Sequence, residues 1–564
     1  MCRSRYTCDS SALTMRYDTI IIGSGAGGLS CALSLARAGQ KVLVLEQHYL
    51  AGGWCHTFSR GGATFTPGIH YIGLMGANES SSNLYKGLGI SQDLCFFRMN
   101  PKGFEHCWIG DERFDIPAGI ENFKQALNQR FPNEVKGINR YLNTVNDVSK
   151  ELQLIPKIDG FLDAITIPWR TRHLGKYGLF SLKRVISWHV KDPLLQKILN
   201  TQSGDHGLPP SKAPFPLHAA VMEHYLSGGY YPMGGGASIV NAMVKKIQSY
   251  GSEVRVKQLV EKILVRKDEG KSSAFGVALA DGQEIYASRI VSNADPAQTY
   301  EKLIAKEYIS TQLREKLATT EYSCSSLILF LTVAMDVTTY GIDSGNIWFM
   351  PEGDMDSAYD DMMTTDLDKK TSFDGFFVSC TTLKDPTSFD GIHHTFEILT
   401  FVNRDAFKGF DTEEKKRSQA YKAFKEHLMQ KMITSFEQVI PNVSQHIVYK
   451  DLATPLTNEH FIHATRGSVY GTQKILQQIG PNAYKAESEI ENLYLCGASI
   501  LAHGVTGATF SGVDTASRIL GCKQDDLLQC DGGEDVQVYD AEDATNYPQW
   551  LEEKIEKNKG KSYV

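Results

Sequence analysis

The chain has 564 residues, 42% of them hydrophobic, which is too long for one core and too apolar for a disordered protein, so two or more packed domains are expected. Its 58 Lys and Arg against 65 Asp and Glu leave a net charge of −7, which offers nucleic acid no global attraction. The 11 cysteines, odd in number and without C-x-x-C spacing, point away from a disulfide framework and a zinc site and toward reduced thiols inside a cell.

Residues 1–16 carry Arg3, Arg5 and several serines but no apolar h-region, so they read as a disordered leader or the remnant of an organelle address. An apolar strand over 19–22 then runs into Gly23-Ser24-Gly25-Ala26-Gly27-Gly28 and a helix over 29–38 rich in small residues. A second apolar run, 41–45, ends on Glu46. Strand, glycine loop, helix and acid in this order form a dinucleotide-binding fingerprint. Gly23 permits the tight turn, Gly25 admits the pyrophosphate to the backbone, and Gly28 lets the helix pack close. The helix N-terminus holds phosphate, and Glu46 accepts both ribose hydroxyls while repelling a 2′-phosphate. Just beyond, Gln47 leads to Gly52-Gly53 and Thr57, a second close backbone approach that an extended FAD needs and a nicotinamide dehydrogenase does not.

The stretch 77–219 is helical in pattern over 120–130 and 135–152. Residues 165–190 mix Trp169, Leu174, Leu179, Phe180 and Trp188 with Arg170, Arg172, Lys176, Lys183 and Arg184. Two readings fit: a peripheral membrane contact, or a cap helix with solvated charges. Pro232-Met233-Gly234-Gly235-Gly236 precedes a helix over 238–249, and 253–293 holds three β-rich runs separated by hairpin signals at 267–270 and 280–282. The stretch 300–464 alternates helix, as at 412–434, with β-rich pieces at 323–333 and 376–381. His393-His394 and the pair His460 and His463 lack companions at metal spacing, so no metal is assigned. Near the end, Leu493-Tyr494-Leu495 is a short buried strand, Gly497-Ala498 admits the cofactor, and Gly504-Val505-Thr506 opens a helix whose N-terminus can face a flavin ring. Residues 523–564, strongly acidic over 525–543, read as a solvated tail.

Three segments, 17–73 (notably AGGWCHTF and GIHYIG), 231–296 (YPMGGGASIV through SNADP) and 467–519, resemble the phytoene desaturase, carotenoid isomerase and retinol saturase group of FAD enzymes, within the amine-oxidase-like flavoproteins. GIHYIG, 68–73, is most similar to the retinol saturase branch, and GVTGATFSG, 504–512, to the carotenoid branch. Phe65-Thr66-Pro67-Gly68 stands where both branches have Phe-Asp-x-Gly.

The resemblance implies an α/β fold with a Rossmann-like FAD-binding domain of the amine-oxidase and glutathione-reductase type, built from 17–76, 220–299 and 465–522. A discontinuous mixed α+β substrate domain would come from 77–219 and 300–464. It also implies cofactor contacts from Gly68 and from the backbone of Val260 at the adenine, beside Gly23, Gly25, Ala26, Gly28, Glu46, Gln47, Gly52, Gly53, Thr57, Gly497, Ala498, Gly504, Val505 and Thr506. The implied activity is FAD-dependent oxidation or reduction of a carbon–carbon multiple bond in a long apolar isoprenoid, a carotenoid or retinoid. Other readings are a redox-neutral isomerase or hydratase on the same polyene, a non-catalytic isoprenoid escort protein of this fold, and an amine oxidase, for which Tyr470 is the one aromatic support. Candidates for proton transfer are His70, Tyr71 and His503. A single glycine fingerprint leaves no separate NAD(P)H domain, so NAD(P)H or another reductant would reach the flavin through an open face. The location expected is intracellular and membrane-associated, in plastid or endoplasmic reticulum.

Overall fold

The strands Tyr17–Ile22 and Val42–Leu45 are apolar without alternation because both of their faces are covered. In the computed structural model, which describes residues 17–154, 169–410, 417–529 and 533–560, these strands lie parallel to each other. Glu284–Ser292 flanks the first and Glu253–Arg255 the second, both parallel, and Leu493–Leu495 adds to Glu284–Ser292. The β-meander expected over 253–293 is continuous with this sheet: Val260–Asp268 and Lys271–Leu279 extend it antiparallel from Glu284–Ser292. On one face the helix Ala26–Arg37, buried at all but its last residue, packs between Gly236–Ser249 and Gly504–Leu520. The two ends of the chain therefore share one core.

A second sheet runs in the order 447–453, 325–334, 393–402, 376–380, 346–350, 105–109, 112–116. It is antiparallel except where Asn346–Met350 lies parallel to Glu105–Ile109, which joins the two long stretches between the cofactor segments into one sheet. Along His393–Val402 the side chains alternate. Phe396, Ile398 and Val402 enter a core capped by the helix Gln419–Phe436, and Glu397 and Leu399 face the dinucleotide domain. The helix expected over 412–434 thus begins at Gln419, with 412–416 outside the described residues. Helices Ile120–Arg130, Val135–Leu152, Leu182–His189, Pro193–Asn200 and Phe215–Tyr225 wall a second apolar core beside the Glu105–Ile109 strand.

Residues beyond 523 depart from the solvated tail expected of them. Gln537–Asp540 pairs parallel with Cys95–Arg98, whose other neighbour is Tyr230–Pro232, and the helix Gln549–Asn558 buries Leu551 completely. The acids mask the reason: Val536 and Val538 pack on the dinucleotide core, while Asp535 pairs with Lys86 at 2.7 Å. The 1–16 leader lies outside the described residues, as do 165–168 of the mixed basic and apolar stretch. Among the described residues no helix is long and apolar enough to cross a membrane.

Candidate functional site

The first glycine turn is shaped by contacts that a side chain would break. Gly23 has φ +91°, and a Cβ on Gly28 would stand 2.2 Å from the Gly23 carbonyl oxygen. The Asn293 side chain occupies the space beside the loop, 2.7 Å from where Cβ atoms on Gly25, Gly27 and Gly497 would sit. Residue 497 is thereby held against residue 27, and the N-terminal fingerprint and the C-terminal glycine segment form one wall.

Together they line a cleft of about 320 Å³, within the size range of ligand sites. Gly23, Gly25, Ala26, Glu46, Gln47, Gly52, Gly53, Gly68, Val260, Gly497, Ala498, Gly504 and Val505 all face it, as does His70. Three of the sequence-derived cofactor residues do not. Gly28 is spent on packing; the Thr57 hydroxyl accepts the Ala237 N–H at 3.0 Å and so tethers the start of the 236–249 helix; Thr506 lies beside Ser81. Two residues that the motif did not point to, Asn293 and Tyr470, line the cleft as well.

Glu46 is buried, and three protein donors reach it: Ser24 N at 2.9 Å, Ser24 Oγ at 2.6 Å and His48 N at 2.8 Å. A carboxylate offers about four lone-pair directions, so roughly one remains for a ribose hydroxyl rather than the two anticipated. Ser24 Oγ in turn accepts from Gly52 N at 3.0 Å, which ties the first glycine turn to the second.

A narrower apolar slot, about 80 Å³, adjoins the cleft, and His70, Leu399 and Tyr470 line both. Its walls are aromatic and aliphatic, with Trp348, Met350, Tyr359, Phe377 and Phe401 prominent. A backbone bridge between Ile72 and Tyr230 fixes the segment that carries His70 and Tyr71. His70 Nδ1 lies 3.0 Å from Glu397 Oε2, while Glu397 Oε1 accepts the Thr66 N–H at 2.5 Å. The His70 carbonyl takes a 2.8 Å hydrogen bond from Lys384 Nζ, which also donates to Ser379 and Asn346. Burial pulls the Lys384 ammonium down to about 7.

The Tyr71 hydroxyl lies 2.5 Å from Glu105 Oε1 and 2.8 Å from Asp205 Oδ2, with its ring stacked on Tyr225 at 4.1 Å. Burial raises both acids above the usual carboxylate range, and for Asp205 the Glu105 charge adds to it. His503 donates Nε2–H to the Asp205 carbonyl at 3.0 Å and stands 4.8 Å from the Tyr470 ring. Burial depresses it to about 4, so at neutral pH it is an uncharged imidazole and holds no proton to give as a cation. The structure thus groups Tyr71 and His503 around Asp205 and places His70 at the mouth between cleft and slot.

Glu105, Asp205, Lys384 and Glu397 escaped motif reading. The signal available for Glu105 and Glu397 was an acid inside a largely apolar run, Phe104-Glu105-His106-Cys107-Trp108 and Thr395-Phe396-Glu397-Ile398-Leu399. Such an acid is buried only with partners.

Over residues 21–88 the chain matches the NAD(P)-binding Rossmann-like domain family. It is 29% identical over 525 residues to the all-trans-retinol 13,14-reductase of Danio rerio, spanning 89% of this chain and 86% of that protein. To the chloroplastic prolycopene isomerase of Arabidopsis thaliana it is 26% identical over 523 residues, 89% of this chain and 82% of the other. In three dimensions it is similar to putrescine oxidase bound to putrescine, with a TM-score of 0.59 at 15% identity, covering 90% of this chain and 99% of that one. The fold is that of the amine oxidases: a Rossmann-like dinucleotide-binding domain beside mixed α/β sheets.

Proposed function

We propose that this relative of the all-trans-retinol 13,14-reductases and prolycopene isomerases is an FAD-dependent enzyme acting on a carbon–carbon multiple bond of a long apolar isoprenoid, a retinoid or a carotenoid. The observation that carries this reading is the junction of a dinucleotide cleft with an aromatic slot, sharing His70, Leu399 and Tyr470 as lining. The glycine cradle at 23–28, the helix N-termini at Ala26 and Gly504 and the one lone pair left on Glu46 fit a pyrophosphate and one ribose hydroxyl. Gly52, Gly53 and Gly68 line the same cleft beyond Glu46, as an extended FAD requires and a short nicotinamide site does not. Bound flavin supplies hydride transfer. The chain's own side chains orient the polyene, exclude water and carry protons.

The exposed Trp169 and Leu179, 75% and 80% accessible, support docking of 165–190 on a lipid surface through which such a substrate arrives. Lys183 is held by Asp354 and Asp356, which flank Met355 of the slot wall, and Arg184 lies over the Phe180 ring. The basic side chains are therefore partly engaged, and the apolar ones carry the contact. The reductant, NAD(P)H or another carrier, would meet the flavin at the open face of the cleft.

Anaerobic incubation of purified protein with all-trans-retinol or prolycopene, with flavin oxidised or photoreduced, tests the reading. We expect a yellow protein with flavin absorbance and a product of mass +2 hydrogens for saturation, −2 for desaturation, unchanged for isomerisation or plus water for hydration. Protein that is colourless and takes up no FAD overturns it.

A further inference from the structure

Beside the slot, the cluster of Tyr71, Glu105 and Asp205 contains more hydrogen-bond contacts than its fully ionised form has protons to fill. Tyr71 Oη is 2.5 Å from a Glu105 oxygen and 2.8 Å from an Asp205 oxygen. Each contact requires one bridging proton, and a phenol has one. The second proton must belong to a carboxyl group. Glu105 already accepts Trp348 Nε1–H at 3.0 Å and Gln202 Nε2–H at 3.0 Å on its two oxygens, so with Tyr71 it has three donors and is held as the carboxylate. Among the described residues, the Asp205 carboxyl meets Tyr71 alone. Two carboxylates bridged by one phenol disfavour double ionisation, and the one with fewer donors keeps the proton.

We infer that Asp205 is a neutral carboxylic acid, kept so by its enclosure and by the Glu105 carboxylate across Tyr71, and that it is the proton donor to a double bond of an isoprenoid whose end enters the slot. The inference rests on the proposed function for its substrate class. Asp205 lines the slot, and the His503 N–H holds its carbonyl in place. The turn that carries it, Thr201–His206, packs against Trp348: a Cβ on Gly204 would fall 2.2 Å from that indole ring.

In the step itself the alkene π pair takes the Asp205 proton. A C–H bond forms, the O–H bond breaks, and an Asp205 carboxylate faces a cation spread along the polyene. The aromatic residues Trp348, Tyr359 and Phe377 line the slot, and aromatic rings stabilise positive charge. Rotation about the weakened bond and return of a proton to Asp205 give cis–trans isomerisation with no net change. Were a reduced dinucleotide bound in the adjoining cleft, it would supply the hydride that turns this cation into a saturated bond, giving up two electrons, and Asp205 would regain its proton from solvent. Asp205 is catalytic here, and Tyr71 and Glu105 are positioning residues.

The test combines infrared spectroscopy of the purified full-length protein with turnover. The difference spectrum of wild type minus Asp205→Asn at neutral pH should contain a carboxylic-acid C=O band that shifts on labelling with 13C-aspartate and not with 13C-glutamate. In Glu105→Gln the band should shift or weaken although Asp205 is intact, because the neighbouring charge is gone and an amide N–H can take the place of the Asp205 proton at Tyr71 Oη. With all-trans-retinol or prolycopene as probe in D2O, wild type should place deuterium on product carbon. Asp205→Asn with its flavin bound should lose at least tenfold, on the scale of about 10²–10⁴ for general acid catalysis. Absence of the band, its shift with 13C-glutamate, an unchanged band in Glu105→Gln, or a turnover loss below tenfold in Asp205→Asn overturns the inference. The infrared arm needs no flavin, so a colourless protein would refute the proposed function while leaving the proton's location decided.

Discussion

Lys384 is completely buried, its ammonium shared among His70 O, Ser379 Oγ and Asn346 Oδ1, and that placement makes it a reporter on the mouth of the slot. Burial lowers it from 10.5 to about 7 against the opposing pull of Glu397. Below about pH 7 folded and unfolded chains both carry the proton, and this group leaves stability flat. Between about pH 7 and 10.5 the unfolded chain binds a proton that the native state does not, so stability rises with pH, by at most about 1.4 kcal/mol per unit. Thermal unfolding of wild type and Lys384→Met across that window should show the wild type gaining on the variant as pH increases. Parallel curves would mean that the lysine is not proton-poor in the fold. The same physics explains why residue-level reading was uneven. Gly23, Gly25 and Glu46 announce themselves because a turn, a close approach and a strand end each permit few residue types. The significance of Asp205 depends on Tyr71, which lies 134 positions from it in the chain and 34 from Glu105.

At the scale of elements, the contact between Ala26–Arg37 and Gly504–Leu520 does the most to make the site. Ser30 Oγ donates to Thr509 O at 2.8 Å, and a Cβ on Gly512 would stand 2.0 Å from Gly27 O and 2.1 Å from Ser30 Oγ. The helices approach this closely only because both present glycine and serine. Gly512→Val should wedge them apart, at a cost of about 1–3 kcal/mol for overpacking. It should also weaken dinucleotide retention, since the N-terminus at Gly504 swings away from the turn at 23–28. Unfolding midpoint and dinucleotide content of the purified variant check both; an unchanged variant would show that the two ends need not touch. Helices 120–130 and 135–152 were readable from apolar spacing alone. The strand Gln537–Asp540 was not, because its four residues carry no pattern stronger than the acids around them, and only the open edge of Cys95–Arg98 gives it a place.

At the scale of the molecule, a buried slot for an apolar substrate needs a route from lipid, and Trp169, Leu179 and Trp188 form the exposed apolar surface nearest in sequence to the slot-facing turn at 201–206. A Trp169→Ser/Leu179→Ser variant should be recovered on liposomes several-fold less than wild type in a flotation assay; equal recovery would remove the docking proposal. By itself the sequence determined the dinucleotide fold and the glycine segments at both chain ends that line its cleft, because those depend on local rules: glycine conformational freedom, strand and helix periodicity, and an acid at a fixed distance from a turn. Only the tertiary structure decided that Glu46 has about one lone pair to spare, that the chain after 523 completes a sheet, and that Tyr71 joins two acids with one proton too few. Each of these is a matter of which donors and edges meet across a long chain separation, and a proton count exists only once the groups that share the proton have been brought within hydrogen-bond distance.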